Sequence, residues 1–130
     1  MKLNKASTLL VLIWLMAMSC QDNSEPIVIT PNDFHASVDK VVEVMVHDIF
    51  SPPVASRIFT YPNIAAYEII VQNDSAYHSL KGQITHLKSI PKADETKDIN
   101  YQLAALIAHM DVSKRLIFSE KRIETFRDSL

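Results

Sequence analysis

The sequence predicts an all-α fold, a partial bundle of about four helices that follows a signal peptide. Glycine occurs once among 130 residues, whereas its average usage is about 7%. Because glycine supplies the positive backbone dihedrals of hairpin turns and the close approach to phosphates, its scarcity argues against a β-rich fold and against a glycine-lined phosphate cradle. Apolar residues also recur at helical spacing along several segments.

Residues 1–19 have the layout of a secretory signal peptide. A short basic region is followed by the uncharged, largely apolar segment Ala6–Met18. This segment is too short for a permanent membrane-spanning helix, which needs about 20 apolar residues. We therefore expect residues 1–19 to be removed during export.

Cys20 is the only cysteine of the chain and directly follows the expected cleavage position. The tetrapeptide Ala17–Cys20 resembles a bacterial lipobox, which implies that Cys20 carries the lipid and anchors the protein to a membrane of the bacterial cell envelope. An ordinary signal peptide with a coincidental cysteine, or an uncleaved anchor, is the alternative. A single cysteine permits no intrachain disulfide, so the fold must depend on its core, a cofactor or a partner.

The chain after the signal peptide has the length of one domain. Residues 20–32 are mostly polar and contain two prolines, which predicts a lipidated tether, and residues 33–130 form the predicted helical region. The whole chain carries 13 basic and 15 acidic residues with no block of one sign. This distribution gives no basic stripe, so no nucleic-acid partner is predicted.

The first helix is predicted from Asp33, with Thr30 or Asn32 as its N-cap. Its apolar residues at helical spacing are Val38, Val41, Val42, Met45 and Ile49. The second helix is predicted from Ser51, a favourable N-cap, to about Gln72. Pro62 should kink it or end its first half. Because this helix is apolar on more than one side, we expect it to be central and buried.

The second half of the chain predicts two more helices. Tyr77–Leu87 is ambiguous, with Gly82 as a turn residue, and Ser89–Asp94 is a polar loop. A helix is predicted from Glu95 or Asp98 to Phe118, and its apolar stripe consists of Ile99, Leu103, Leu106, Ile107 and Met110. Ser119 caps a last segment whose helical pattern runs to Leu130, which we interpret as a truncation of a larger domain.

No catalytic, cofactor-binding or metal-binding residue is predicted within the chain. The five histidines are His35, His47, His78, His86 and His109. No two of them have the i, i+4 spacing of a helical metal site, and no serine lies in a Gly-x-Ser-x-Gly elbow. The most informative charge is Arg57, in an apolar helix; it is either paired, for example with Glu68, or exposed at the edge of the bundle.

One segment carries a family resemblance. The run SPPVASRIFTYPNIAAYE, from Ser51 to Glu68, resembles the N-terminal helical region of the vanadium-dependent haloperoxidase and type 2 phosphatidic acid phosphatase superfamily. The run YHSLKGQ, from Tyr77 to Gln83, is similar to a second stretch of exported lipoproteins in that group. The resemblance implies an all-helical fold with a pocket for phosphate or vanadate.

In that superfamily the pocket is formed by three later motifs: K-x6-R-P, P-S-G-H and S-R-x5-H-x3-D. This chain contains none of them. Ser56 and Arg57 match the start of the third motif, but Asn63 stands at the position of its histidine and Tyr67 at the position of its aspartate. We therefore assign no catalytic role to Ser56 or Arg57.

The sequence thus predicts the non-catalytic N-terminal part of an exported phosphatase-like or haloperoxidase-like lipoprotein. Its expected partners are the membrane, through the lipid, and the missing C-terminal catalytic half. Phosphate or vanadate would be bound only in the complete protein, for phosphoric-monoester hydrolysis or peroxide-dependent halide oxidation. The alternative is a complete small helical envelope lipoprotein that acts as a binding or adaptor module.

Overall fold

The computed structural model describes residues 27–130, which contain four helices and one isolated β-bridge. The helices are α1 (Pro31–His47), α2 (Pro52–Ile70), α3 (Tyr101–Lys114) and α4 (Glu120–Arg127). The prediction of an all-α fold is confirmed. The predicted signal peptide and Cys20 lie outside the described residues.

Helix α1 begins with a capping box. The Asp33 N–H donates to the Thr30 hydroxyl oxygen at 3.4 Å, and the Thr30 N–H donates to the Asp33 carboxylate at 2.7 Å. Of the two predicted caps, Thr30 is therefore the one used. The prediction for Ile49 is wrong: the helix ends at His47, and Ile49 has a positive φ of 56° and is 87% exposed.

Helix α2 begins after Ser51 and continues through Pro62, so the proline does not end it. The expectation that this helix is buried is wrong in part. Its face toward the core is buried, including Ile58 and Pro62, but Phe59 and Tyr61 are 36% and 47% exposed. One apolar face of α2 is thus left open by the other described residues.

Helix α3 is shorter than predicted at both ends. It begins after Asn100, whose side-chain oxygen accepts from the Leu103 N–H at 3.0 Å. Leu106 is buried as expected, but Ile107 is 40% exposed, and His109 is buried instead. The predicted stripe was therefore placed partly on the wrong face of the helix.

The connection from residue 71 to residue 100 contains no helix. Gly82 has a φ of 82°, which confirms its role as a turn residue. Helix α4 inserts Ile123 into the core but ends at Arg127, so the helical pattern does not extend to Leu130 as predicted. Its N-cap residue Ser119 makes no capping hydrogen bond with its side chain.

The core lies where α1, α3 and α4 meet the buried face of α2. Its buried members are Val41, Val44, Met45, Ile58, Leu106, Met110, Ile117 and Ile123. The most extensive packing is between α2 and α3. None of the helices in the described part of the chain is long and apolar enough to cross a membrane.

Candidate functional site

The two segments that carry the family resemblance are in direct contact. The Glu68 carboxylate, near the end of α2, accepts hydrogen bonds from the Ser79 hydroxyl and the Leu80 N–H, both at 2.7 Å. The adjacent Tyr67 hydroxyl donates to the His78 carbonyl at 2.9 Å. These three bonds hold the loop that follows α2 against the helix.

Glu68 is 3% exposed, and it forms no ion pair with any residue from 27 to 130. A buried carboxylate normally requires a charged partner or several hydrogen-bond donors. Here the neutral donors Ser79 and Leu80 fill that role. Of the two alternatives for Arg57, the exposed one is confirmed: Arg57 does not pair with Glu68 but is exposed and donates to the Pro53 carbonyl at 3.1 Å.

A groove of about 840 Å³ lies beside this contact. It is bounded by the start of α1, the part of α2 from Phe59 to Ile70, the start of α3 and the loop after α2. Its lining residues are Ile29, Thr30, Pro31, Phe34, Phe59, Thr60, Asn63, Ile64, Ala66, Tyr67, Ile70, Leu80, Gln102 and Ala105. The resemblance segments therefore supply half of the groove wall, which gives them a structural role that the sequence alone did not reveal.

The polar side chains of the α2 wall donate away from the groove, to backbone carbonyls. The Thr60 hydroxyl donates to the Ser56 carbonyl and the Asn63 amide to the Phe59 carbonyl, both at 2.7 Å. The Tyr67 hydroxyl is engaged by the loop, as described above. With these donors engaged, the wall presents mainly aromatic and aliphatic carbon to the groove.

The described residues do not fit a vanadate or phosphate ion, which requires several unneutralised cationic donors that converge on one point. Lys40, Lys121 and Arg122 do line one common pocket of about 410 Å³. However, Lys40 and Arg122 pair with Glu43 at 2.6 and 3.1 Å, and Lys121 pairs with Glu124 at 3.5 Å.

His109 of α3 is surrounded by neutral hydrogen-bonding groups. Within residues 27–130 no group of three or more His, Cys, Asp or Glu side chains is placed to hold a metal ion. The His109 Nδ1 lies 3.2 Å from the Ser37 hydroxyl oxygen, and that hydroxyl donates to the Phe34 carbonyl. The nearby carboxylate of Asp111, two residues further along α3, pairs with Arg127 at 3.3 Å. Burial lowers the pKa of His109 to about 4, which keeps its imidazole neutral at pH 7.

Two of the four buried polar side chains of the described residues, Glu68 and His109, carry a structural role that sequence reasoning missed. Glu68 stands alone among apolar residues in the run AAYEII, and this isolated charge is the signal that could have identified it. His109 gave no comparable signal, because its partner Ser37 lies 72 positions away in sequence.

The described residues form a helical unit with one open apolar face, and the comparison with solved structures identifies the class. The chain belongs to the vanadium-dependent haloperoxidase superfamily, as the resemblance implied. It is similar to the crystal structure of the first bacterial vanadium-dependent iodoperoxidase, with 63% identity and a TM-score of 0.79. The similarity covers 81% of this chain and 26% of that one, so the chain spans about a quarter of the length of its relative.

No protein-family model matches the chain, and no curated protein matches it. The family assignment therefore rests on the high identity and the shared fold with the solved iodoperoxidase.

Proposed function

We propose that this chain forms a non-catalytic helical scaffold of a vanadium-dependent haloperoxidase. The residues that bind vanadate would then lie in the rest of that enzyme, outside the region that this chain matches. The observation that carries the proposal is the 63% identity to an iodoperoxidase over 81% of this chain, which corresponds to 26% of the relative. None of the three oxyanion motifs of the superfamily occurs in the 130 residues.

The physical chemistry of the described residues supports this division of roles. Oxyanion chemistry in such a pocket requires convergent cationic donors and a histidine placed for attack or ligation. Here the clustered cations are each engaged in an ion pair with Glu43 or Glu124, and His109 is enclosed beside Ser37. The complete enzyme would oxidise halide with peroxide; iodide is the halide to test first, because the relative is an iodoperoxidase.

The proposed location is the bacterial cell envelope, with the lipid on Cys20. The support is the sequence pattern alone: an apolar leader and a single cysteine after small residues. Cells that express the chain and are fed radiolabelled palmitate should incorporate label into it. A Cys20→Ser variant should not be labelled, and labelling of that variant would contradict the assignment.

The proposal is tested with a chimera in which residues of this chain replace the matched segment of the bacterial iodoperoxidase. The chimera should retain vanadate-dependent oxidation of iodide within about tenfold of the parent, which corresponds to less than about 1.4 kcal/mol of transition-state stabilisation. The parent enzyme without this segment is the matched control and should be inactive.

The isolated chain should show neither iodide oxidation nor hydrolysis of a phosphate monoester. Either activity in the purified chain would contradict the proposed scaffold role. A chimera that folds, as shown by circular dichroism, but does not oxidise iodide would instead favour the small binding module.

A further inference from the structure

We propose that the groove between α1, α2 and the start of α3 binds an apolar face of an α-helix from the remainder of the haloperoxidase. The inference rests on the proposed function and specifies where the remainder packs on this chain. About three quarters of the solved iodoperoxidase lies outside the region that this chain matches, so ample polypeptide exists to supply such a helix.

The shape of the groove favours a helix over a loop or a small molecule. The α2 residues that line it include Phe59, Asn63, Ala66, Tyr67 and Ile70. They recur at the spacing of one helical face and extend over about three turns, or about 16 Å at the helical rise of 1.5 Å per residue. A helical face of this length is the surface against which another helix packs.

Small residues form the floor of the groove. Ala66 of α2 and Ala105 of α3 line the groove, and both are almost fully buried. Larger side chains, among them Phe34 and Phe59, line the groove as well. This alternation of small and large side chains is the arrangement that lets ridges of one helix enter the grooves of another.

The chemistry of the wall favours an apolar partner face. The Thr60 and Tyr67 hydroxyls and one amide proton of Asn63 already donate to backbone carbonyls, so the wall offers few free donor protons to a polar partner. A partner that buried polar groups here would lose water without full compensation. Soluble proteins also rarely leave a contiguous apolar surface of this kind uncovered.

The experiment measures whether the groove is covered in the complete enzyme. Asn63→Cys places a thiol at the exposed edge of the groove, and Asn73→Cys places a matched thiol on an exposed residue that does not line it. Both are made in the active chimera and in the isolated full chain, in a Cys20→Ser background. Labelling by N-ethylmaleimide is then followed site by site with mass spectrometry.

In the chimera, Asn63→Cys should react at least about tenfold more slowly than Asn73→Cys, because it is reached only through local opening of the covered groove. In the isolated chain the two sites should react at similar rates. Thr60→Cys, which also lines the groove, should repeat the pattern and guards against a local effect of the first substitution.

Equal labelling of the two sites in the chimera would overturn the inference. Protection of Asn63→Cys in the isolated chain would also overturn it, because a second copy or the chain itself would then be the occupant. Iodide oxidation by the chimera is measured separately. A groove that is reactive in an active chimera refutes the docking site alone, whereas a folded but inactive chimera refutes the proposed function.

Discussion

At the scale of single residues, His109 and Glu68 are polar groups enclosed by the fold. The imidazole of His109 lies 3.2 Å from Ser37 and packs against the Phe34 ring at a centroid distance of 5.0 Å. The Glu68 carboxylate accepts from Ser79 and from the Leu80 backbone. Each group links segments that are distant in sequence, so each should make a measurable contribution to stability.

His109 should make the fold sensitive to mild acid. Its ordinary pKa is 6.5, and burial lowers it to about 4 in the folded chain. Above pH 6.5 both states are neutral there; between pH 6.5 and 4 the unfolded chain takes up a proton that the folded chain does not, so stability falls. The protonation of His109 in the unfolded chain lowers the free energy of unfolding by about 3 kcal/mol in total.

The measurement is the free energy of unfolding by urea as a function of pH. A His109→Gln variant should show a flatter profile than the wild type between pH 6.5 and 4. The exposed His35 provides the control, and His35→Gln should follow the wild type. Parallel profiles for the wild type and His109→Gln would contradict the role of burial.

Glu68 should protect the backbone amide of Leu80. In a Glu68→Ala variant that amide and the Ser79 hydroxyl, which are only partly buried, lose their acceptor, at a cost of about 0.5–1.5 kcal/mol for each hydrogen bond. Hydrogen exchange at Leu80 should therefore accelerate by at least about tenfold. Glu95 is exposed in the loop, and Glu95→Ala should leave exchange at Leu80 unchanged. Unchanged exchange in Glu68→Ala would show that the loop is held by other contacts.

At the scale of elements, Asp48 joins the end of α1 to the start of α4. Its carboxylate accepts from the Phe118 N–H at 2.8 Å, from the Ser119 N–H at 3.0 Å and from the Ser119 hydroxyl. Burial raises the pKa of Asp48, but the hydrogen bonds from Ser119 and Phe118 outweigh it and hold the pKa below its usual value of 3.8. The ionised form is thus the one that stabilises the junction.

Asp48→Ala should lower the free energy of unfolding by about 1–2 kcal/mol at pH 7, because partial solvent exposure screens the lost hydrogen bonds. The corresponding decrease in Tm is about 5–10 °C. A depressed carboxyl pKa stabilises above its unfolded value, so the difference from the wild type should shrink below about pH 4. Asp39→Ala, on the exposed side of α1, is the control. A difference that persists in acid would contradict this account.

The sequence predicted the number and order of the helices because their apolar spacing and caps are local signals. Thr30 and Ser51 both stand directly before helices, as expected. The errors lie where non-local contacts decide. Asn100, instead of an earlier residue, caps α3, and its amide also donates to the distant Ile27 carbonyl at 2.7 Å. The interior position of His109 depends on the distant Ser37. The exposure of Phe59 was likewise hidden, because apolar composition does not show which face of a helix the chain itself covers.

The candidate site was predictable only as a resemblance. The motif letters identified the superfamily, and the absence of its three oxyanion motifs was visible in the sequence. The contact of Glu68 with Ser79 and Leu80, and the groove beside it, required the structure. No local pattern specifies that a loop returns to the helix that precedes it.

At the scale of the whole molecule, this chain is a folded core with one open apolar side. The core is formed by all four helices, whereas the groove exposes carbon from α1, α2 and the following loop. The chain also corresponds to about a quarter of its solved relative. Together these observations support the proposal of a helical scaffold that contributes shape and stability to a larger enzyme.

We propose that vanadate is held only when this scaffold is joined to the rest of the enzyme. Equilibrium dialysis against vanadate, with the isolated chain and the iodoperoxidase chimera in parallel, tests this proposal directly. The chimera should retain vanadate in a ratio close to one per molecule, and the isolated chain should retain none above its buffer. Retention of vanadate by the isolated chain, or its absence from a folded chimera, would contradict the proposal.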